Sequence, residues 1–253
     1  LPVIDTRGDV VAFGSRVLDK SEPKYMNSSE TPVYSKRRVL YGLNLAKKSK
    51  RPNIILCEGN LDIVTLHQAG FDNAVASMGT ALTVEQTRLL SRFTKELVLC
   101  YDNDNAGKIA TERALQILNG SEFNVKVLQL PRRLVDGEYV KQDADDFIKF
   151  QGPDAFERLL NGSENGVEFR MAQIAGKYDL KDDEARIAYC GEVSELLASL
   201  PGAVEREIYT GRAAEAAGIT AEAMKLEVQR SFKRRIAREK RAEPRKNLNP
   251  AMA

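Results

Sequence analysis

The sequence is poor in cysteine and histidine, and it has no long hydrophobic run. Cys57, Cys100 and Cys190 stand far apart and no C-x-x-C pair occurs. That excludes a disulfide framework and points to a reduced, cytosolic protein. The single histidine, His67, follows a helical apolar face and reads as packed or solvated rather than catalytic. No apolar run approaches the roughly 18 residues that a membrane span needs, so no membrane partner is expected. No signal peptide precedes Leu1, and Leu1 is not an initiator methionine, so the chain is expected to be a piece of a longer protein. No internal repeat is visible.

Acid is missing from one whole stretch. Between Thr31 and Cys57 there is no Asp or Glu, while Lys36, Arg37, Arg38, Lys47, Lys48, Lys50 and Arg51 all fall there. The net charge is nevertheless only +2 over 253 residues, because acids dominate from Asp136 to Glu157. Bases prevail again from Lys225 onward. Taken singly, each lysine reads best as part of a solvated helix face. Taken together, a basic face beside an acidic pocket suits a polyanionic substrate, whose phosphates the bases would hold.

The residues that organise the chain are three acidic stations. Glu58 lies in I-I-L-C-E-G-N-L-D, Asp102 and Asp104 in L-V-L-C-Y-D-N-D, and Asp143 and Asp145 in K-Q-D-A-D-D-F-I. The first two directly end short apolar runs that read as buried parallel strands. The third follows such a run, Val125 to Leu130, across a loop. In an open α/β sheet, ligands bind outside the carboxyl ends of the strands. Carboxylates gathered there repel one another unless cations sit among them. The economical reading is a divalent-metal site, most simply Mg²⁺, since every ligand is a hard oxygen donor.

The spacing predicts a fold around these stations. Pro2–Ile4 and Val10–Leu18 are expected as strands joined by a turn at 5–9. Pro23–Pro32 is expected as a loop, with a cation, a ring, an amide and hydroxyls suited to phosphate and base contacts. Ser35 is expected to cap a helix over Lys36–Ala46. After a basic linker at 47–52 a strand–helix alternation begins. Strands are predicted at Ile54–Cys57, Ala74–Ser77, Glu96–Tyr101 and Val125–Leu130. Helices are predicted at Leu61–Ala69, Val84–Arg92, Ala106–Leu118, Ala144–Phe150 and Asp154–Leu160. This is an α/β fold with a parallel, doubly wound sheet. Beyond Gly162 no strand is expected. Val167–Tyr178, Asp182–Leu200, Ala203–Ala217 and Ala221–Arg241 carry helical periodicity and form a small bundle, with Thr220 an N-cap. The domains are expected as 1–51, 52–161 and 162–241, with a loose tail at 242–253.

Single motifs weigh little. An acid after a strand often only caps a helix, and D-x-D often marks a turn. In extended chain, however, Asp102 and Asp104 point to the same side and can hold one cation between them. Gly59 lets the chain turn sharply from strand to helix behind Glu58, and Asp62 is placed to hydrogen-bond within the site. The combination of E-G, D-x-D and a second D-x-D within one α/β unit is far more specific than its parts.

That combination resembles the Toprim domain of bacterial primases, type IA and II topoisomerases and some nucleases. Within this superfamily the chain is most similar to the DnaG-type DNA primases. The residues that carry the resemblance are R-V-L-D-K-S-E-P-K-Y-M-N-S-S-E-T-P-V-Y-S-K-R-R-V-L-Y-G-L, C-E-G-N-L-D, A-V-A-S-M-G-T-A-L-T, Y-D-N-D-N-A-G, D-A-D-D-F-I and the later P-G-A-V-E-R-E-I-Y. The resemblance covers Leu1 to Arg241. It implies a partial N-terminal polymerase subdomain, a Toprim catalytic domain and a helical subdomain. It implies synthesis of RNA primers on a single-stranded DNA template from ribonucleoside triphosphates, in the bacterial cytoplasm at the nucleoid. Glu58, Asp102, Asp104, Asp143 and Asp145 would be the metal acids, for Mg²⁺ or Mn²⁺. Arg16, Lys24, Tyr25, Asn27 and Lys36 would hold template, nascent RNA primer or nucleotide phosphates.

The sequence departs from the family pattern at several points. Asn103 stands where glycine is common, and Asn tolerates a left-handed turn there. Asn60 replaces an aromatic residue, Asn105 a base, and Ala144 a proline. No Cys/His zinc set is present, so no zinc is expected in this chain. The replicative helicase, the family's partner, is expected to dock through a region outside it. Two other readings remain: a Toprim nuclease or topoisomerase, for which no Tyr is marked as nucleophile, and a fragment that binds nucleic acid and nucleotides without turnover.

Overall fold

The computed structural model of the chain describes residues 1–17, 25–78, 81–135 and 137–247. Contacts divide it into two units, Leu1–Gly166 and Val167–Ala253. The first unit begins with a three-stranded antiparallel sheet, β1 (Pro2–Ile4), β2 (Val10–Arg16) and β3 (Tyr25–Asn27), in that order. Asp5 closes the first turn by accepting the N–H groups of Arg7, Gly8 and Asp9 on one oxygen. β3 falls inside the stretch expected as a loop, while residues 18–24 lie outside the described residues.

The helix expected over Lys36–Ala46 does not form. The chain runs through turns at 36–38, and helix is confined to α1 (Leu43–Ala46). Gly42 takes a left-handed φ of 82°, which ends any continuous helix before it. Tyr41 instead exchanges two backbone hydrogen bonds with Ala76, at 2.9 and 3.0 Å.

The central sheet follows the predicted alternation: β4 (Asn53–Cys57), α2 (Asn60–Gln68), β5 (Ala74–Ala76), α3 (Val84–Leu90), β6 (Glu96–Leu99), α4 (Asn105–Leu118) and β7 (Asn124–Val127). Thr83 caps α3, its hydroxyl accepting Gln86 N–H at 3.1 Å. An unforeseen hairpin follows, β8 (Arg133–Val135) and β9 (Glu138–Val140). Then come α5 (Ala144–Gln151), α6 (Pro153–Asn161) and β10 (Glu164–Asn165). The five-stranded order is β10-β7-β6-β4-β5. β7, β6, β4 and β5 are parallel, and β10 pairs antiparallel with β7. β10 corrects the expectation of no strand past Gly162. It is two acidic and amide residues long, too short for alternation to reveal.

Side-chain alternation explains why the strands read as continuous apolar runs. Ile55, Cys57, Val98 and Cys100 pack with Ile63, Leu66, Phe147 and Phe156 of α2, α5 and α6. Ile54, Leu56, Leu97 and Leu99 point to the opposite face and are equally buried. A sheet covered on both faces demands such runs.

The second unit holds α7 (Gly166–Ala175), α8 (Asp183–Ser199), α9 (Ala203–Ala217) and α10 (Ala221–Asn247), with α7 starting at the boundary. Tyr189, Val193 and Leu197 of α8 pack with Ala213, Ala214 and Ala217 of α9 and Met224 and Val228 of α10. Gly218 ends α9 with a left-handed φ of 64°, and Thr220 accepts Ala223 N–H at the start of α10. α10 continues past Arg241 to Asn247, into the stretch expected as a loose tail; residues 248–253 lie outside the described residues. Among the described residues no helix is long and apolar enough to cross a membrane.

Candidate metal centre

The order of the sheet puts the first two stations together. From β4 the chain moves outward to β5, then crosses back to β6 on the other side of β4. The switch point, where a crevice opens at the carboxyl ends, therefore lies between β4 and β6. Leu56 is in register with Leu99, and Cys100 N–H donates to Leu56 C=O at 2.9 Å. Glu58 and Asp102 thus leave the sheet side by side. Asp104 caps α4, accepting Gly107 N–H at 2.8 Å. A Cβ on Gly107 would lie 1.9 Å from the Asp102 carbonyl oxygen, so only glycine lets α4 start this close to the acid loop. Asn103 donates to Leu130 C=O at 3.0 Å. It does not use the left-handed freedom expected of it; among the described non-glycine residues, Met78, with φ 61°, has a positive φ.

The third station is held by helix α2. Asp143 caps α5, accepting Asp146 N–H at 2.7 Å. Asp145, inside the first turn, is buried. Its carboxylate accepts from the Thr65 hydroxyl and from the Lys149 ammonium, the latter at 2.6 Å. Asp62 accepts the N–H of Gly59 at 3.1 Å and of Asp145 at 3.2 Å. Asp143, Asp145 and Asp146 each offer one ligand oxygen within 4.8 Å of the others.

The electrostatics call for a cation. Burial raises the Glu58 carboxyl above its usual range, and Asp102 adds to this. Burial likewise raises Asp102; Lys141 opposes the shift, while Asp143 and Asp104 reinforce it. Asp62 is pushed up to about 7 by burial and then by Asp143. Asp104 is held below its usual range by Lys141 and by Gly107 N–H. Burial would raise Asp145, but Lys149 and Thr65 outweigh it and leave the group lowered. The Lys141 ammonium bridges the second station, 2.8 Å from Asp104 Oδ2 and 3.8 Å from Asp102 Oδ2. Glu58 Oε1 is buried with no hydrogen-bond partner among the described residues. An orphaned carboxylate oxygen beside mutually repelling acids, all hard donors, fits a divalent cation.

The basic residues expected around the acids are scattered. Arg16 ends β2, and its charge lowers Asp145. Asn27 sits opposite Gly14 and donates to Met78 C=O at 3.4 Å. A Cβ on Gly14 would meet both Asn27 Oδ1 and Asn60 Nδ2, which places Asn27 beside the first turn of α2. Tyr25 is in β3, with its side chain outside the described residues, and Lys24 lies outside them altogether. Lys36 stands apart: its backbone is tied to Glu30 and Gln86, and none of its contacts among the described residues reaches an acid station. His67 contacts Ala74 C=O at 2.9 Å, a packed role. Lys141, Thr65 and Lys149 escaped sequence reasoning. Only the position of Lys141, just before Asp143, could have marked it.

Three family profiles match the chain. One described as Toprim-like covers residues 55–148, and one described as DNA primase catalytic core, N-terminal domain, covers 1–47. A third, described as DnaB-helicase binding domain of primase, covers 167–222. From the sequence, the replicative helicase is expected to dock through a region outside this chain, whereas the third profile carries a helicase-binding name over 167–222. A DNA primase of Clostridium acetobutylicum is 40% identical over 224 residues, covering 88% of this chain and 36% of that protein. The crystal structure of a DNA primase domain from Pseudomonas aeruginosa matches with TM-score 0.74 and 33% identity, over 90% of this chain and 71% of that one. A structure of the DnaG primase catalytic domain bound to ssDNA matches with TM-score 0.73 and 32% identity, over 88% and 70%. The chain spans 36% and 37% of the length of two of the curated relatives it matches.

Proposed function

The chain belongs to the DnaG-type family of DNA primases, and on that premise we propose that its acidic crevice carries metal-dependent nucleotidyl transfer, joining ribonucleotides into short RNA primers on single-stranded DNA. The observation that carries this reading is the convergence of Glu58, Asp102 and Asp104 at the switch point between β4 and β6, with a lysine ammonium already drawn between the two aspartates.

Glu58, Asp102, Asp104, Asp143 and Asp145 would hold Mg²⁺ or Mn²⁺. When bound, such a cation supplies Lewis acidity to a phosphoryl oxygen and lowers the pKa of a coordinated hydroxyl. The chain's own residues do the rest. Gly107 and Asn103 fix the Asp102–Asp104 loop. Asp62, Thr65 and Lys149 fix Asp145 at the start of α5. Arg16, Asn27 and Tyr25, on the β2–β3 ribbon, and Lys24 beside it in sequence would contact phosphate and sugar, which positions a strand without reading its sequence. Lys36 would contribute from outside the crevice. The helical unit, 167–222 above all, would meet the replicative helicase. The place of action is the nucleoid in the bacterial cytoplasm.

A topoisomerase reading is disfavoured by Tyr101, the tyrosine beside the acids. It is buried, and burial followed by the Glu58 charge drives its hydroxyl far above the usual range. The test is incorporation of labelled ribonucleotides on a single-stranded DNA template. Mn²⁺-dependent RNA product, lost on chelation, supports the proposal. Template degradation without added nucleotides would favour a nuclease.

A further inference from the structure

The hairpin β8–β9 brings Lys141 to the acids. Its strands pair Arg133 with Val140, Leu134 with Tyr139 and Val135 with Glu138. Its base is fixed twice: the Arg133 guanidinium lies 3.6 Å over the Phe150 ring, and Gln142 Nε2 donates to Pro131 C=O. Lys141 is the residue directly after β9, so its backbone is set by the hairpin while its side chain, 59% exposed, reaches Asp104 and Asp102. An ammonium on Asp104 Oδ2 and a divalent cation bound there directly would want the same oxygen, and like charges that close repel strongly.

We propose that Lys141 is a positioning residue that serves as the resident counter-ion of the Asp102–Asp104 pair. It holds the two carboxylates in place in the metal-free protein and competes with the divalent cation for Asp104. The hairpin thereby sets the concentration of cation at which the site fills. This rests on the metal-site reading of the acids.

The test is Mn²⁺ binding by titration calorimetry, on the full 253-residue chain. Lys141→Met should bind Mn²⁺ about two- to fivefold more tightly than the parent, the scale of a partly exposed ion pair removed from competition. Lys141→Arg should retain near-parent affinity, because the competing charge is kept. Lys108→Met, on the exposed face of α4, controls for general loss of positive charge and should change affinity less than twofold. Equal affinity in the parent and Lys141→Met overturns the proposal and leaves the metal site standing. Equal gains in Lys141→Met and Lys108→Met overturn it too, since contact would not matter. If no variant binds Mn²⁺, or if Asp104→Asn binds as the parent does, the metal-site reading falls and this proposal with it.

Discussion

Asp62 accepts the backbone N–H of Asp145 at 3.2 Å, tying the first turn of α2 to the first turn of α5. The same carboxylate accepts Gly59 N–H at 3.1 Å. One buried side chain therefore positions both the turn behind Glu58 and the third acidic station. Replacing it with alanine leaves two backbone donors without their acceptor. Asp62→Ala is expected to lower stability by about 1–3 kcal/mol, read as a shift in urea midpoint. It should also weaken Mn²⁺ binding, although Asp62 is not proposed as a ligand.

Gly107 is expected to tolerate no side chain. Its Cβ would strike the carbonyl of Asp102, and backbone cannot move aside as a flexible side chain does. Gly107→Ala should cost about 1–3 kcal/mol, the usual price of overpacking. It should also reduce nucleotide incorporation far more than that loss of stability explains, because Asp102 is displaced. Thermal unfolding measured beside activity separates the two effects.

Phe156 links α6 to the helix that carries Asp143. It is fully buried, with its ring centroid 4.8 Å from that of Phe71 and 6.0 Å from that of Phe147, both edge-on. Phe156→Ala is expected to cost about 3–5 kcal/mol in the first unit. Denaturant unfolding followed by far-UV circular dichroism checks this.

Glu96 lies at the opposite end of the sheet from the acids, where it bridges three strands. It accepts from Asn53 at 3.1 Å, Lys126 at 3.1 Å and Asn124 at 2.9 Å. Burial would raise its pKa, but these partners outweigh it and leave it lowered. A carboxylate with a lowered folded pKa stabilises above its unfolded pKa, and that stability is lost as pH falls through the folded value. Glu96→Gln should therefore be less stable than the parent at pH 7, by about 0.5–1 kcal/mol for a partly exposed pair. The gap should shrink as pH drops below the ordinary glutamate value of 4.5. A gap that widened toward low pH would contradict the assignment.

The first two acidic stations were legible because each begins where a continuous apolar run stops. Leu56-Cys57 before Glu58 and Leu99-Cys100 before Asp102 mark strands buried on both faces, and the sheet edge follows from that. The hairpin β8–β9 was missed because R-L-V and E-Y-V are mostly exposed and carry no buried face; the Asp-Gly between them was its one strong turn signal. Lys36–Ala46 looked helical by composition, but Gly42 and the pairing of Tyr41 with Ala76 override local propensity. Lys141 could be marked only by its place two residues before Asp143, since the hairpin is what brings it to Asp104.

The most direct test compares Asp102→Ala with the parent chain in Mn²⁺-dependent ribonucleotide incorporation on single-stranded DNA, with far-UV circular dichroism as the fold control. Asp102 is one of several mutually repelling carboxylates, so its removal should leave the metal-free fold intact. The account predicts loss of incorporation with unchanged dichroism. Full incorporation by Asp102→Ala would contradict it and remove the catalytic centre from this crevice.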